Sequence, residues 1–466
     1  MRTRILILAV LIFVSGFTAN AQMHLNLHFT DNVPGTIHTN PAFFPKNNGF
    51  VGLPVFSSMY TSITSSGWKY SDLIRYNDKG DLAVDVDHFI SKLKKNNLFS
   101  VNFETELFSI GIRRKSFYFS AFVTERINMN FAFPKDLIRL AYNGNGAFLN
   151  ETASLDGIGL NMTHFRDYSL GVGKKIGKVN VGMRLKFLYG KANVTTQKSN
   201  VSIFTDSSTT YHITAATDVL VNTSLPFDND NFAVGDYILN SANAGTGFDF
   251  GAKYRLNDKW SFALSAVDMG YIYWRDNIHN YSAKGSYTFT GLDISKFSTG
   301  DGGDPFQEIM DSVSDAFDVK DTVSYYRTNL NTKLYASTTF KPNDNSVAGF
   351  LIYTEIYNKK WYPSFTVYYS QQNEGKFNSM ISYSVINGDF RNLGFGATVR
   401  MGPFQTYCLV DNLIGVLRPQ HTKAFNVHMG MYIVLGARKY AKPEKPDDEF
   451  DQLEDIEEPE EGESVE

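Results

Sequence analysis

Six basic residues stand where position alone suggests chemistry. Arg184, Lys186, Lys253, Arg255, Lys333 and Arg400 each fall on the polar side of a segment whose other side is apolar. Val179, Val181, Met183, Leu185, Phe187 and Tyr189 alternate with Asn180, Gly182, Arg184 and Lys186. Phe248, Phe250, Ala252 and Tyr254 alternate with Asp249, Gly251, Lys253 and Arg255. Leu393, Phe395, Ala397, Val399 and Met401 alternate with Asn392, Gly394, Gly396, Thr398 and Arg400. Period-two alternation is the mark of a strand between two environments. A charge facing lipid at mid-depth costs about 2–4 kcal/mol, so with the apolar side toward lipid these cations face a lumen. Two chemistries follow. The cations form a basic lining that attracts anions, carboxylates included. Alternatively they pair with luminal acids such as Asp249 and close a packed, hydrogen-bonded interior. The second is favoured.

Other reactive groupings are thin. His24 and His28 are four apart, the spacing that aligns two metal ligands on a helix. Leu25, Leu27 and Phe29 alternate with them, which predicts an extended segment and no metal. The Gly-rich run 300–303, with Asp301 and Asp304, lacks the periodic oxygen ligands of a calcium loop. No Gly-x-Ser-x-Gly elbow or phosphate-binding Gly-rich loop occurs. Asp72, Asp85, Asp87 and His88 share one loop without a pattern that makes them converge. Cys408 is the only cysteine, so no internal disulfide or cysteine-based zinc site exists. The chain is read as a non-enzyme with no catalytic residue, no metal, no cofactor and no nucleic-acid partner.

The elements that position these residues are strands. Aromatic residues make up 15% of the chain, yet mean hydropathy is slightly polar, at -0.23. That combination fits residues divided between lipid and water, with aromatic girdles and a polar lumen. After residue 22 no run of about twenty apolar residues suits a membrane helix. Strands are expected near 49–63, 97–112, 116–131, 157–174, 178–192, 246–256, 259–274, 328–341, 346–357, 361–371, 376–386, 391–401, 404–413 and 424–437. The fold class is therefore all-β: a transmembrane antiparallel barrel of about 14 strands, with 16 possible if extensions near 194–217 and 281–291 join the wall. Tight polar links alternate with longer ones, the asymmetry of short periplasmic turns and large extracellular loops. Short helices are expected in loops at 86–95, 134–142 and 304–317.

The flanks differ from this body. Arg2 and Arg4 precede an apolar run at 5–14, and Ala19 and Ala21 offer a small-x-small cleavage site. Residues 1–21 thus read as a secretory signal peptide. Residues 443–466 hold 13 Asp or Glu and one Lys, a net of −12, whereas 22–442 carry a net of +6. Such a tail is too polar to bury a core, so 439–466 is expected to be a disordered acidic periplasmic tail. It serves either interaction or solubility. The organisation is then signal peptide 1–21, N-terminal segment 22–48, barrel 49–438 and tail 439–466.

Asn40, Pro41 and Ala42, placed just before the first strand, resemble a motif of the fatty-acid-transporter-like (FadL/PorV-type) outer-membrane barrels. Leu264, Ser265, Ala266, Val267, Asp268, Met269 and Gly270 resemble a strand-end pattern of that superfamily, and Leu409, Val410, Asp411, Asn412 and Leu413 look like a second copy. Phe43, Phe44 and Pro45, the loop helix from Phe133 to Ile138, and Gly144 with Asn145 look closer to an uncharacterised family of Bacteroidota barrels. The resemblance implies that residues 22–46 fold inward as a hatch in the lumen. It also implies two functions. The first is an accessory or scaffold subunit of an outer-membrane secretion or assembly complex. Its partners are other outer-membrane or periplasmic proteins, bound through the loops and acidic tail, besides the outer-membrane lipid. The second is passive transport of hydrophobic or amphipathic small molecules.

Overall fold

The computed structural model describes residues 24–437, apart from 31, 46, 77–79, 209–210, 227–232, 291–314, 358–359, 374–375 and 387–388. The expected signal peptide, the acidic tail, the 300–303 run and most of the helix expected at 304–317 lie outside the described residues.

Alternating side chains build the wall strand by strand. In chain order the strands are β1 (Asn47–Gly52), β2 (Met59–Ser65), β3 (Asn96–Arg114), β4 (Phe117–Pro134), β5 (Gly159–Ile176), β6 (Val179–Thr205) and β7 (Ile213–Ser224). They continue as β8 (Asn243–Arg255), β9 (Trp260–Trp274), β10 (Ile278–Phe289), β11 (Thr332–Asn343), β12 (Ser346–Tyr357) and β13 (Lys360–Asn373). The last are β14 (Phe377–Ile386), β15 (Asp389–Met401), β16 (Phe404–Val410) and β17 (Ala424–Ala437). β1 and β2 are two halves of one wall strand. Both pair with β17 on one side and β3 on the other, closing an antiparallel barrel of 14 strands. Closure leaves no unpaired edge in lipid. Phe119, Leu170, Phe187, Leu264, Val367 and Ile381 are among the large apolar side chains exposed on the outer face.

β7 and β10 are not in the wall. β6 runs past its barrel portion, β7 pairs with its far half from Asn193 to Thr205, and β10 pairs with β7. The expected extensions therefore project beyond the barrel, and the count stays at 14. Loop helices form at Val86–Lys92 and Lys135–Asn143. Phe89, Leu93 and Phe133, with Trp68, Leu137 and Ile138, pack these loops into a small apolar cluster. All large excursions leave one end of the barrel, and two-to-four-residue turns close the other.

Three strands depart from expectation, the one read as 328–341 dividing into Tyr326–Asn329 and Thr332–Asn343. The first, read as continuous over 49–63, is broken. Residues 53–58 stand opposite only Gly430 and Met431, because Gly52 pairs with Tyr432 and Met59 with Met429. Pro54 offers no N–H to the ladder, and Val55 takes a left-handed φ of 68°. The bulge turns Val55 and Phe56 toward lipid and Ser57 and Ser58 inward. The strand read as 404–413 stops at Val410, because Asn412 accepts a hydrogen bond from Gly415 N–H and caps a short helix, Leu413–Leu417.

Candidate functional site

The inner faces of seven neighbouring wall strands bring charges to one level of the lumen. β3 supplies Glu104 and Glu106, β4 Arg126, β5 Asp167, β6 Arg184 and Lys186, β8 Asp249, β9 Asp268 and β11 Lys333, all buried. Arg126 reaches Asp268 at 2.9 Å, Asp167 at 3.3 Å and Glu104 at 3.9 Å. Lys186 bonds Asp268, and lies 2.9 Å from Asp249 and 3.8 Å from Asp167. Lys333 meets Asp268 at 3.2 Å and Glu104 at 3.8 Å. Arg184 meets Asp249 at 3.0 Å. Arg126, Lys186 and Lys333 thus each bridge carboxylates from different strands, and the belt ties the wall to itself across the lumen. Asp268 is its hub. One extra residue on β9 makes a bulge there, since Phe248 pairs with Met269 but Phe250 with Ala266. Asp268 sits at φ 60°, a conformation a non-glycine residue adopts at some cost and which re-aims its side chain.

The N-terminal segment fills the space beside this belt. Residues 24–44 lie inside the barrel, and nearly all are buried. They include two 3-10 turns, Leu27–Phe29 and Pro34–His38. The extended conformation expected over 24–29 does not form. Barrel wall surrounds this segment on every side, so its alternation records two wall chemistries rather than a sheet. Leu25, Leu27, Phe29, Val33 and Ile37 pack against Tyr335, Leu351, Tyr353, Tyr368, Tyr407 and Tyr432, and Phe29 stacks on Tyr368 with centroids 3.7 Å apart. Burial of such side chains is worth about 1.5–3 kcal/mol each.

Polar side chains of the same segment face the wall's polar groups. His24 lies 3.5 Å from Glu104. Asn26 N–H donates to Asp411 Oδ1 at 3.0 Å, and its side-chain amide to Val410 O at 2.8 Å. The Thr39 hydroxyl donates to Thr36 O, which leaves its oxygen to accept from His28 Nδ1 at 3.1 Å. His28 Nε2 then accepts from the Ser337 hydroxyl at 2.9 Å. Arg184 can only donate, so its 3.0 Å contact with His38 Nδ1 fixes that ring as the tautomer whose Nε2–H donates to Glu106 at 2.9 Å. His24 and His28 thus point to different partners. Among the described residues no three His, Cys, Asp or Glu side chains assemble as a metal site.

Asn40, Pro41 and Ala42 lie on a floor of glycine. Gly173, Gly182 and Gly251 sit side by side in register on the inner faces of β5, β6 and β8. A Cβ on Gly182 would run into the Pro41 carbonyl, and one on Gly251 into Asn40 Oδ1. Asn40 uses its whole amide. Its Oδ1 accepts from Ala42 N–H at 2.8 Å, and its NH2 donates to Leu264 O at 3.2 Å and Ala252 O at 3.4 Å. Ser265 Oγ donates to Thr39 O at 2.6 Å. A family model matches residues 41–411, from Pro41 in the glycine slot to Asp411 at the Asn26 anchor. The chain belongs to the Family of unknown function (DUF5723). No curated protein matches this DUF5723 chain. Solved structures similar to it include the toluene transporter TodX of P. putida, at 10% identity and a TM-score of 0.43, covering 90% of this chain and 97% of that one. The Ralstonia pickettii toluene transporter TbuX is similar at 8% identity and a TM-score of 0.41, covering 86% and 94%. A Pseudomonas aeruginosa FadL homologue is similar at 10% identity and a TM-score of 0.40, covering 91% and 100%.

The six basic residues singled out by alternation separate in this DUF5723 barrel. Arg184, Lys186 and Lys333 enter the belt. Lys253 sits over the Phe43 ring, 5.1 Å from its centroid. Arg255 is exposed at the tight-turn rim, outside the belt. Arg400, at the same rim, donates to Asn47 Oδ1 at 3.3 Å and Gly402 O at 3.1 Å. The alternation reading missed Arg126 as a fourth cation of the belt, Glu104 and Asp167 as carboxylates these cations share, and Glu106, which bonds His38 and Tyr432, although each stands on the polar face of an expected strand. In the first loop, Asp85 caps the helix by accepting from His88 N–H at 2.9 Å, and His88 lies 3.8 Å from Asp72. Behind the β1–β2 bulge, Ser58 Oγ lies 2.8 Å from His428 Nε2. Among the described residues, His428 Nδ1 is buried with no hydrogen-bond partner, and none supplies a carboxylate to orient that imidazole.

Proposed function

We propose that this chain is an outer-membrane barrel that admits small hydrophobic or amphipathic molecules past a non-covalent luminal plug formed by residues 24–44. The observation that carries the reading is what the plug buries. The wall beside the belt holds Leu25, Leu27, Phe29, Val33 and Ile37 among tyrosines and aliphatic side chains. A path opened by shifting the plug is therefore lined for apolar or aromatic cargo, with tyrosine hydroxyls for an amphipathic head. A water-filled solute pore has a polar interior instead. The charged belt stays as the polar side of that path and as the frame that keeps the barrel round.

The test is equilibrium binding of a fluorescent fatty acid and of an uncharged aromatic to the purified barrel, beside sugar flux through the same protein in liposomes. Gly182→Ala, which crowds Pro41 out of its slot, is compared with the parent. Apolar probes are expected to bind, and to bind more tightly in the variant, with no sugar flux in the parent. Absence of apolar binding in both proteins, or free sugar flux in the parent, rejects the reading.

A scaffold role in a secretion or assembly complex has one observation of its own. β6, β7 and β10 raise a sheet beyond the barrel, a surface the transport reading does not use. Copurification of a stoichiometric partner from native membranes, lost when 206–212 is replaced by a short Gly-Ser link, would support it.

A further inference from the structure

The tight-turn end carries a second set of cations that the lumen does not employ. Three adjacent turns, β3–β4, β5–β6 and β8–β9, present Arg114, Lys115, Lys174, Lys178, Arg255 and Lys259, all exposed. The turns are stitched into one face. Lys175 N–H donates to Ser116 O, and Arg255 N–H to Lys178 O, each at 2.9 Å. The sole acid among positions 113–117, 174–179 and 255–260 is Asp258. Among the described residues, none of those six cations has a carboxylate within ion-pair distance. A face of one sign attracts a polyanion strongly at low salt.

The chain delivers a polyanion to this place. β17 ends at Ala437, directly opposite Asn47 on β1, and Asn47 takes the hydrogen bond from Arg400 at the same rim. Residues 443–466 follow, with 13 acidic side chains and one Lys. Fully extended, 438–466 reaches up to about 95 Å. A 14-strand barrel with strands about 4.8 Å apart and tilted by about 40° is only about 28 Å across. Every turn is thus in reach, and a tether of this length holds the tail near the face at roughly millimolar effective concentration.

We infer that residues 443–466 dock in cis on this basic arc. The docked tail neutralises the arc and masks it, so another polyanion gains the face only by displacing the tail. The inference is independent of what passes through the lumen.

The test uses the full chain in phosphatidylcholine nanodiscs, with a photocrosslinking amino acid in place of Phe450. Crosslinks mapped by mass spectrometry are expected in the turns around 114–115, 174–178 and 255–259. Their yield should fall at least tenfold between about 50 mM and about 500 mM salt, as screening shortens to a few Å. The combined variant Arg114→Gln, Lys115→Gln, Lys178→Gln and Lys259→Gln should lose them at low salt while the barrel stays folded by its heat-modifiable gel mobility. Crosslinks absent from these turns at low salt, or unchanged in the quadruple variant, overturn the inference. Anionic phosphatidylglycerol added to the discs separates the competing occupant. Persistence of the crosslinks supports tail docking, and their complete loss assigns the arc to lipid headgroups instead.

Discussion

Lys186 and Lys259 carry the same charge on neighbouring parts of one wall, β6 and the β8–β9 turn, and are held by opposite physics. Lys186 is 1% exposed and shares three carboxylates from β5, β8 and β9. Lys259 is exposed, and among the described residues no carboxylate lies at ion-pair distance from it. The first charge has been taken out of water and is stable only because its partners came with it. The second keeps its hydration and its freedom to meet something else. Barrel cations therefore divide by depth into those that hold the structure and those available for binding. A count of basic residues on inward faces does not separate the two.

The sharpest way to break that division is to remove a belt cation. Arg126→Met leaves Glu104, Asp167 and Asp268 to share Lys186 and Lys333, and stranding buried charge typically costs about 3–5 kcal/mol. Urea unfolding of the barrel in micelles should show a loss of that order. Adding Asp268→Asn to Arg126→Met should recover a sizeable part, because the pair fails together rather than additively. If the double variant is worse than the single by the full cost of Asp268→Asn alone, the belt is not an electrostatic unit.

The plug gives intermediate effects. Gly182→Ala places a methyl against the Pro41 carbonyl, and overpacking of this kind costs about 1–3 kcal/mol. The cost should appear in the plug rather than the wall: faster proteolysis within 24–44 at unchanged barrel gel mobility. Asn40→Ala removes a side chain that makes three hydrogen bonds. It leaves two wall carbonyls short of a donor, for about 1–3 kcal/mol, and should loosen the same segment without crowding it. Equal protease protection in parent and both variants would mean that the slot does not hold the plug.

Much of this was legible from residue order. Lipid on one side and a polar interior on the other impose period two, so strands expected at 346–357, 376–386 and 424–437 appear within a residue of those bounds. The closed barrel of 14 strands follows from the same alternation. Side-chain parity also places Glu104, Arg126 and Asp167 inward. Their partners depend on register across four or five strands, which no local pattern encodes. The slot illustrates the same limit. Gly173, Gly182 and Gly251 each sit on an inner face, but only the β5–β6–β8 register lines them up. The plug was least legible, because its alternation over 24–29 predicts an extended segment where wall on all sides instead leaves two 3-10 turns, and Asn40, Pro41 and Ala42 marked it. Asp268 and Asp411 stood in two similar strand-end patterns. In the fold one becomes the belt hub and the other the anchor for Asn26.

The smallest expected effect sharpens the comparison most. Lys259→Ala removes an exposed charge from a turn whose backbone order comes from Asn257, whose side chain accepts from Lys259 N–H at 3.0 Å and Trp260 N–H at 2.8 Å. The substitution spares those bonds, and surface changes of this kind usually stay within about 0.5 kcal/mol. Urea midpoints of parent and Lys259→Ala should therefore coincide, in contrast to the drop for Arg126→Met. The salt dependence of any polyanion bound at the tight-turn end should nevertheless weaken measurably, since each cation removed takes one screened attraction with it. A stability loss comparable to Arg126→Met would show that the rim cations are structural too. The depth rule that separates Lys186 from Lys259 would then fail.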